Sequence, residues 1–257
     1  MQVEEITPIV LTLNEEANIG RCLARLAWAR RVVVLDSGSQ DRTAEIVASH
    51  ENAEFIVRQF DSHAQQWNFA VDQAETAWVL CLDADYMIPP EWVAEVRERE
   101  PESGSCAYLT PFVYQIFGRP LRASLYPPRP VLFDRQYCSY WDDGHTQRLR
   151  ISGSVDELKN PLAHDDRKSL SNWVGSQHRY AKLEASKLLA TEPEKLDRVD
   201  RIRLMGGPAV LFTPLYCLLF KGLLFQGWPG WYYTLQRTLA ELLLSLEILD
   251  RRLRKYS

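Results

Sequence analysis

The sequence predicts an α/β fold built on a mostly parallel central sheet, and three observations predict it. Short apolar runs recur at ITPIVLTL, RVVVLD, EFIV and AWVLCL, each the length of a buried strand. Segments with helical spacing separate them, so strands and helices alternate as in βαβ units. Polar residues cluster where three of the runs end: Thr12 to Glu15, Asp36 to Ser39, and Asp83 to Asp85. Right-handed crossovers put all four strand ends on one edge, and ligands of open α/β sheets bind along that edge.

The elements follow in order. Ile6–Leu13 reads as the first strand. Asn14 can cap a helix, with Glu15 and Glu16 in a first turn where acidic groups suit the helix dipole. Ile19, Cys22, Leu23 and Leu26 continue it at helical spacing. The second strand breaks at Asp36–Gly38, and Ser39 or Asp41 is a cap for RTAEIVASH. EFIV is the third strand and HAQQWNFAVDQAE the next helix. The fourth strand, AWVLCL, ends in Asp83. Pro89–Pro90 then opens EWVAEVRERE, proline being tolerated in a first helical turn. From Cys106 to about Arg150 the pattern changes to aromatic, proline-broken strands and loops. KSLSNWVGSQHRYAKLEASKLLA is a long helix.

A chain of 257 residues is long enough for one large domain, or one with an appendage, around a sizeable core. Its net charge of −4 argues against nucleic acid as the main partner. The five cysteines are scattered and form no C-x-x-C, as expected of buried thiols in a reducing compartment. The stretch MQVEEITPIV has no basic region and no long apolar region, so no secretory signal is expected and the predicted location is cytoplasmic.

Asp83 and Asp85 flank Ala84 at a strand end. Two carboxylates so spaced can share one hard cation, Mg²⁺ or Mn²⁺, which prefers oxygen ligands and often binds one or two carboxylates plus substrate phosphates. The plainer alternative is a pair of solvated loop aspartates. Asp36, directly before Ser37 and Gly38, can bind a ribose hydroxyl or a base N–H, or can serve as a turn residue capping the next helix. Neither G-x-G-x-x-G after the first strand nor G-x-x-x-x-G-K-[ST] anywhere is present, which disfavours dinucleotide and P-loop readings.

IVLTLNEEANIGRCL, VVVLDSGSQDRTAEIV and WNFAVDQAETAWVLCLDADYMIPPEW, in that order, resemble the nucleotide-sugar domain of family 2 glycosyltransferases, in particular the bacterial branch that makes lipopolysaccharide core and other cell-surface saccharides. The resemblance is tight from Ile6 to about Glu100 and looser to about Ala190. It implies a GT-A, Rossmann-like fold and an inverting transfer from a nucleotide diphosphate sugar, by preference a UDP-sugar, to a glycan or lipid-linked acceptor. It places Thr12, Asn14 and Glu15 near the nucleobase and ribose, with Asp36 and Ser37 beside them. Asp83, Ala84 and Asp85 become the D-x-D element, with Asp85 the favoured direct metal ligand and Asp83 the second. Two departures stand out: many relatives carry an acidic residue where Tyr86 stands, and a basic one where this chain has Gln66–Trp67.

Inverting transfer needs a general base for the acceptor hydroxyl. In relatives an acidic residue near an H-E pair often serves. The stretch that corresponds by this resemblance is YWDDGHTQRL, with Thr146 in the place of the glutamate, so Asp143 and then Asp142 are the candidates. A solvated turn is the alternative. His145 is a candidate contact to phosphate or acceptor, although a lone histidine is more often structural. In PLAHDDRKSL, the plain reading makes Asp165 or Asp166 the cap of the following helix. The functional one makes His164 a further metal ligand and Arg167 or Lys168 a phosphate contact. FGRPLRASLYPPRPVLFDR resembles the acceptor-side loop of the branch, with Arg119, Arg122 and Arg129 as phosphate contacts or simply surface arginines.

The expected organisation is a catalytic domain over residues 1–200 and a hydrophobic, amphipathic helical segment over 201–257. Leu235, Leu239, Leu242, Leu243, Leu246, Ile248 and Leu249 form one face of a helix with a basic end. Trp228, Trp231, Tyr232 and Tyr233 are residue types that favour a lipid boundary. The apolar run is interrupted by Pro214 and Lys221, so peripheral attachment to the inner face of the cytoplasmic membrane is expected rather than a span. The alternatives are packing on the catalytic domain or a homodimer. Two rival functions also stand. One is a haloacid dehalogenase-type phosphohydrolase, although its D-x-D normally ends the first strand. The other is a non-catalytic nucleotide-sugar binder that lacks a base.

Overall fold

The computed structural model describes residues 2–99, 105–143 and 146–256. The four apolar runs are strands β1 (Ile6–Thr12), β2 (Val32–Asp36), β3 (Ala53–Val57) and β4 (Trp78–Asp83). Helices α1 (Ile19–Ala24), α2 (Thr43–Ala48) and α3 (His63–Asp72) connect them. After β4 come β5 (Tyr86–Met87), α4 (Pro90–Glu98), β6 (Ser105–Thr110), β7 (Phe112–Ile116), β8 (Arg119–Pro120) and β9 (Arg129–Asp134). The hairpin β10 (Cys138–Asp143) and β11 (Thr146–Ile151), then β12 (Ser154–Glu157) and β13 (Leu162–His164), complete the strands.

The central sheet runs β12-β6-β9-β4-β1-β2-β3. Strands β4, β1, β2 and β3 are mutually parallel, while β9 is antiparallel to both β4 and β6. The expected mostly parallel sheet is therefore present. Side chains alternate between its faces, as the two-residue strand period requires. Val10, Val34, Leu80 and Leu82 join one core with Trp92 of α4. Ile9, Val33, Leu35, Val79 and Cys81 join the other with Trp67 of α3 and Phe133. Burial on both faces is why these strands read as unbroken apolar runs.

Register puts the carboxyl ends together: Thr12 lies opposite Asp36, and Leu11 opposite Asp83. Asn14 does not cap a helix. It has a left-handed φ of 54°, a conformation asparagine tolerates better than most residues, and α1 begins only at Ile19 after a turn from Glu15. Pro90 does open α4.

By contacts the chain divides into two units, residues 1–118 with 125–168, and residues 119–124 with 169–257. The second begins earlier than the expected boundary at residue 200. The reason is packing: Ala181, Ala185 and Leu188 of α5 (Leu170–Ala190) bury against Leu244 and Ile248 of α8 (Trp228–Tyr256). The short helices α6 (Arg198–Leu204) and α7 (Pro208–Leu215) lie between them in the chain. A 2.7 Å ion pair from Arg203 to the buried Glu241 ties α6 to α8. Among the described residues no helix is long and apolar enough to cross a membrane.

Candidate active site at the carboxyl edge

The site is built from the strand ends upward. Thr12 Oγ1 donates to Asp36 Oδ2 at 2.7 Å, joining β1 to β2. Asp36 is buried, and it also accepts from the backbone N–H groups of Gly38 and Ser39 and from Ser39 Oγ. Asp36 thus fills the turn role but does not cap the next helix, whose first N–H at Thr43 donates to Asp41 instead. Asn14 reinforces the same loop, its N–H donating to Ser39 Oγ at 2.7 Å and its Oδ1 accepting from Gln40 N. Ser37 N–H donates to the Thr12 carbonyl, and Ser37 Oγ accepts from Gln66 Nε2 at 3.0 Å. Gln66, at the position where a basic residue is frequent, is buried and also accepts from Arg58 Nη1. A cation therefore stands close to this point, carried by the end of β3.

Glu15 is held inside the unit rather than aimed freely at solvent. Its Oε1 accepts from Lys168 Nζ at 2.6 Å and its Oε2 from Asn18 Nδ2 at 2.9 Å. Burial pushes the Glu15 carboxyl up to about 7, with the Asp85 charge adding to it and Lys168 opposing.

Beyond β4, Ala84 is buried and the chain enters β5. A small sheet then decides the chemistry. β13 pairs antiparallel with β5, His164 opposite Tyr86, and parallel with β7, His164 opposite Tyr114. This register, together with a hydrogen bond from Asp165 N to the Asp85 carbonyl, carries His164 to the D-x-D element. His164 Nε2 lies 3.0 Å from Asp85 Oδ2. Asp85 Oδ1 and His164 Nδ1 are buried without hydrogen-bond partners. Burial alone would lower the imidazole pKa; the Asp85 carboxylate outweighs it and holds His164 above its ordinary value, helped by Asp83 and Asp166. Burial alone would raise Asp85, and His164 with Lys168 brings it below the usual carboxylate range. Among the described residues no group of three or more His, Cys, Asp or Glu forms a metal cage. Asp85 and His164 meet as a pair, and Asp83 does not join them as a third ligand.

Aromatic rings enclose His164. The centroids of Tyr114, Tyr126 and Tyr86 lie 4.5, 4.7 and 5.4 Å from the imidazole. Tyr86, which departs from the acidic residue of many relatives, hydrogen-bonds through its hydroxyl to that of Tyr126. The Arg129 guanidinium sits 4.8 Å from the Tyr126 centroid.

Asp165 is not a helix cap. It is buried and takes Arg21 Nη1 at 2.9 Å, Arg167 Nη2 at 2.7 Å and the Gly118 N–H. Asp166 accepts from Asn18 Nδ2 and from Lys168 N. Ser169 caps α5, because the chain between His164 and Ser169 is spent on these contacts first. Sequence reasoning missed Asn18, wholly buried and bonded to Glu15, Asp166, Arg21 and Arg167. Its signal was an asparagine just ahead of the apolar helical spacing that starts at Ile19.

The candidate bases are placed by α3. Asn68 clasps β10 at Tyr140 through two hydrogen bonds, 2.9 and 2.8 Å, and Asp142 Oδ1 accepts from Ala64 N at the first turn of α3. Asp143 Oδ2 pairs with Arg148 Nε at 2.5 Å. His145 lies outside the described residues. Arg122 belongs to the second unit, where its backbone N–H donates to Gln226 Oε1.

Comparison with known proteins identifies the family. The lipopolysaccharide core biosynthesis glycosyltransferase LpsC of Rhizobium meliloti is 34% identical over 84 residues, 31% of this chain and 31% of that protein. Poly-beta-1,6-N-acetyl-D-glucosamine synthase of Staphylococcus aureus is 28% identical over 115 residues, 40% of this chain and 28% of that protein. The chain thus spans about a third of the length of the curated relatives it matches. The solved structure of S. aureus TarS 1–349 in complex with UDP-GlcNAc shares the fold, with a TM-score of 0.51 at 17% identity over 96% of this chain and 91% of that one. The family model for glycosyl transferase family 2 matches residues 7–151, more than half of the sequence, and the chain belongs to that family.

Proposed function

We propose that this protein is an inverting hexosyltransferase that uses a UDP-sugar donor and delivers the sugar to a hydroxyl of a cell-surface glycan or glycolipid precursor. The observation that carries the reading is the Asp85–His164 pair beside the carboxyl end of β4, with its buried, unpartnered Asp85 Oδ1. One carboxylate and one imidazole leave most of a coordination sphere to diphosphate oxygens and water, which suits Mg²⁺ or Mn²⁺. Such an ion would neutralise charge on the departing diphosphate. The named relatives are a lipopolysaccharide core biosynthesis glycosyltransferase and a poly-beta-1,6-N-acetyl-D-glucosamine synthase, and the TarS structure contains UDP-GlcNAc; a UDP-sugar is the donor we assign here.

The residues then divide the work. Thr12, Asn14, Asp36 and Ser37 shape the loop against the nucleoside. Asp83, with Arg129 nearby, faces the diphosphate. In the transfer, the acceptor oxygen bonds the anomeric carbon from the side opposite UDP. The bond to the β-phosphate oxygen breaks, and its electron pair leaves with UDP. The acceptor proton passes to Asp143 or Asp142. The C-terminal helices contact the membrane in which the acceptor lies.

Thermal-shift screening against UDP-, GDP-, CMP- and dTDP-sugars, with and without Mn²⁺, tests the donor, because a ligand that binds only the folded state raises Tm. Selective, Mn²⁺-dependent stabilisation by UDP-sugars is expected. Full metal-dependent nucleotide binding by Asp85→Ala would remove the reading.

A further inference from the structure

The second unit carries an apolar surface that the chain leaves uncovered. After α7 the chain makes a π-helical turn (Tyr216–Phe220) and a short 3-10 turn (Leu223–Gln226) before α8. Ala209, Cys217 and Leu223 bury inward. Leu211, Phe220 and Phe225 point outward, 71%, 81% and 85% exposed, with Phe212 and Leu219 exposed beside them. So many large apolar side chains in one short segment mark an interaction surface rather than ordinary surface scatter.

Charge identifies what the surface meets. Between Asp200 and Glu241 the chain has no carboxylate side chain. Cations surround the turns, Arg237 of α8 acting on Cys217 from within. Lys221 Nζ lies 5.6 Å from the Tyr216 ring centroid and the Arg119 guanidinium 5.4 Å from that of Trp228. Arg122 is brought to Gly222 because Gln226 clasps its segment, accepting from Arg122 N and donating to the Pro120 carbonyl. The basic end of α8 is committed elsewhere. Arg251 is bonded to Glu247 and Ser186, Arg252 to the Leu204 carbonyl and Arg254 to Asp250. It also lies roughly 40 Å along the helix from Trp228.

We propose that the turns between α7 and α8, with Arg119, Arg122 and Lys221, form a docking surface for an anionic lipid membrane. The apolar side chains enter the acyl boundary, the indole of Trp228 sits at headgroup level, and the three cations meet lipid phosphates. The inference deepens the membrane-directed acceptor proposed above and assigns contact to this end of the second unit, not to the basic C-terminal end.

Flotation of the full chain with vesicles tests it, using phosphatidylcholine alone and phosphatidylcholine with one quarter phosphatidylglycerol. Binding to the anionic vesicles is expected, weakening with salt. The double variant Phe220→Ser/Phe225→Ser should lower partitioning by about tenfold or more. Arg119→Gln/Arg122→Gln/Lys221→Gln should lower it by about fivefold per charge on anionic vesicles only. Arg251→Gln/Arg254→Gln should leave it unchanged. Equal partitioning by all variants, or no flotation of the native chain, overturns the proposal. So does a dimer in sedimentation velocity that the phenylalanine variants dissociate without changing flotation, because a second copy would then cover the surface. Flotation needs no donor, and nucleotide-induced shifts in Tm on the same samples report separately on the transferase reading.

Discussion

His164 Nε2 lies 3.0 Å from Asp85 Oδ2 across 79 residues of sequence. The two buried groups are within hydrogen-bonding distance, and the remaining Asp85 oxygen has no partner. A divalent cation bound there would take both groups as ligands. Asp85→Asn and His164→Ala are therefore each expected to weaken Mn²⁺-dependent UDP binding by about tenfold to a hundredfold. Calorimetric titration with UDP, with and without Mn²⁺, checks this: binding without metal should change little.

The same pair sets a pH dependence. His164 is held above its ordinary pKa by the carboxylates of Asp85, Asp83 and Asp166. A raised histidine contributes stability that is complete below about 6.5 and is lost as pH rises through the folded value. Metal binding needs the neutral imidazole. Mn²⁺ affinity should accordingly rise with pH through the folded value, while the Tm of the metal-free protein loses the histidine contribution over the same interval. His164→Gln should flatten both curves.

Asp165 gathers Arg21, Arg167 and the Gly118 N–H, and its own side chain is only 3% exposed. Asp165→Asn leaves two cations without their carboxylate. The arginines keep about a third of their surface in water, so the expected loss is about 2–3 kcal/mol rather than the full cost of a buried pair. Urea denaturation at neutral pH measures it. Hydrogen bonds from Arg167 and Gly118, with the Arg167 and Arg21 charges, outweigh burial and hold Asp165 below the usual carboxylate range. The difference from wild type should therefore shrink as pH falls below about 4.

Asn68 holds β10 against α3, and β10 carries both candidate bases. Asn68→Ala removes two hydrogen bonds and should cost about 1–3 kcal/mol, with kcat falling more than donor affinity. Of Asp142→Asn and Asp143→Asn, the one that replaces the base should lower kcat by about 10²–10⁴ with UDP binding retained. Loss of donor binding in both would assign these carboxylates to loop structure instead.

Arg129 lies over Tyr126 and close enough to Asp83 to feel its charge. Arg129→Leu should weaken UDP by about tenfold and leave uridine unaffected, since only the diphosphate offers charge to a guanidinium. Parallel titrations with the two ligands separate a phosphate contact from a packing role.

The parallel sheet and its polar edge were legible because they are local. Val32–Leu35 and Val79–Leu82 are apolar without alternation, a pattern that burial on both faces produces, and Asp36 and Asp83 stop those runs where the strands leave the core. The Ser169–Leu170 start of α5 was misread because Asp165 and Asp166 have the composition of a cap. Their actual partners, Arg21 and Asn18, come from the far end of the unit. Asn14 was misread for a related reason: its side chain serves Gln40 of a neighbouring loop, not its own helix.

By itself the sequence determined the strand order's raw material, the D-x-D at the end of β4 and the apolar, carboxylate-free stretch before Glu241. Periodicity and charge along the chain are sufficient for these. Only the tertiary structure decided that His164 meets Asp85, that Lys168 pairs with Glu15, and that Asp142 accepts from the first turn of α3. Each depends on the register of β13 against β5 or on the clasp of Asn68 on β10. Such pairings form between segments remote in sequence and are chosen by the packing of the whole unit.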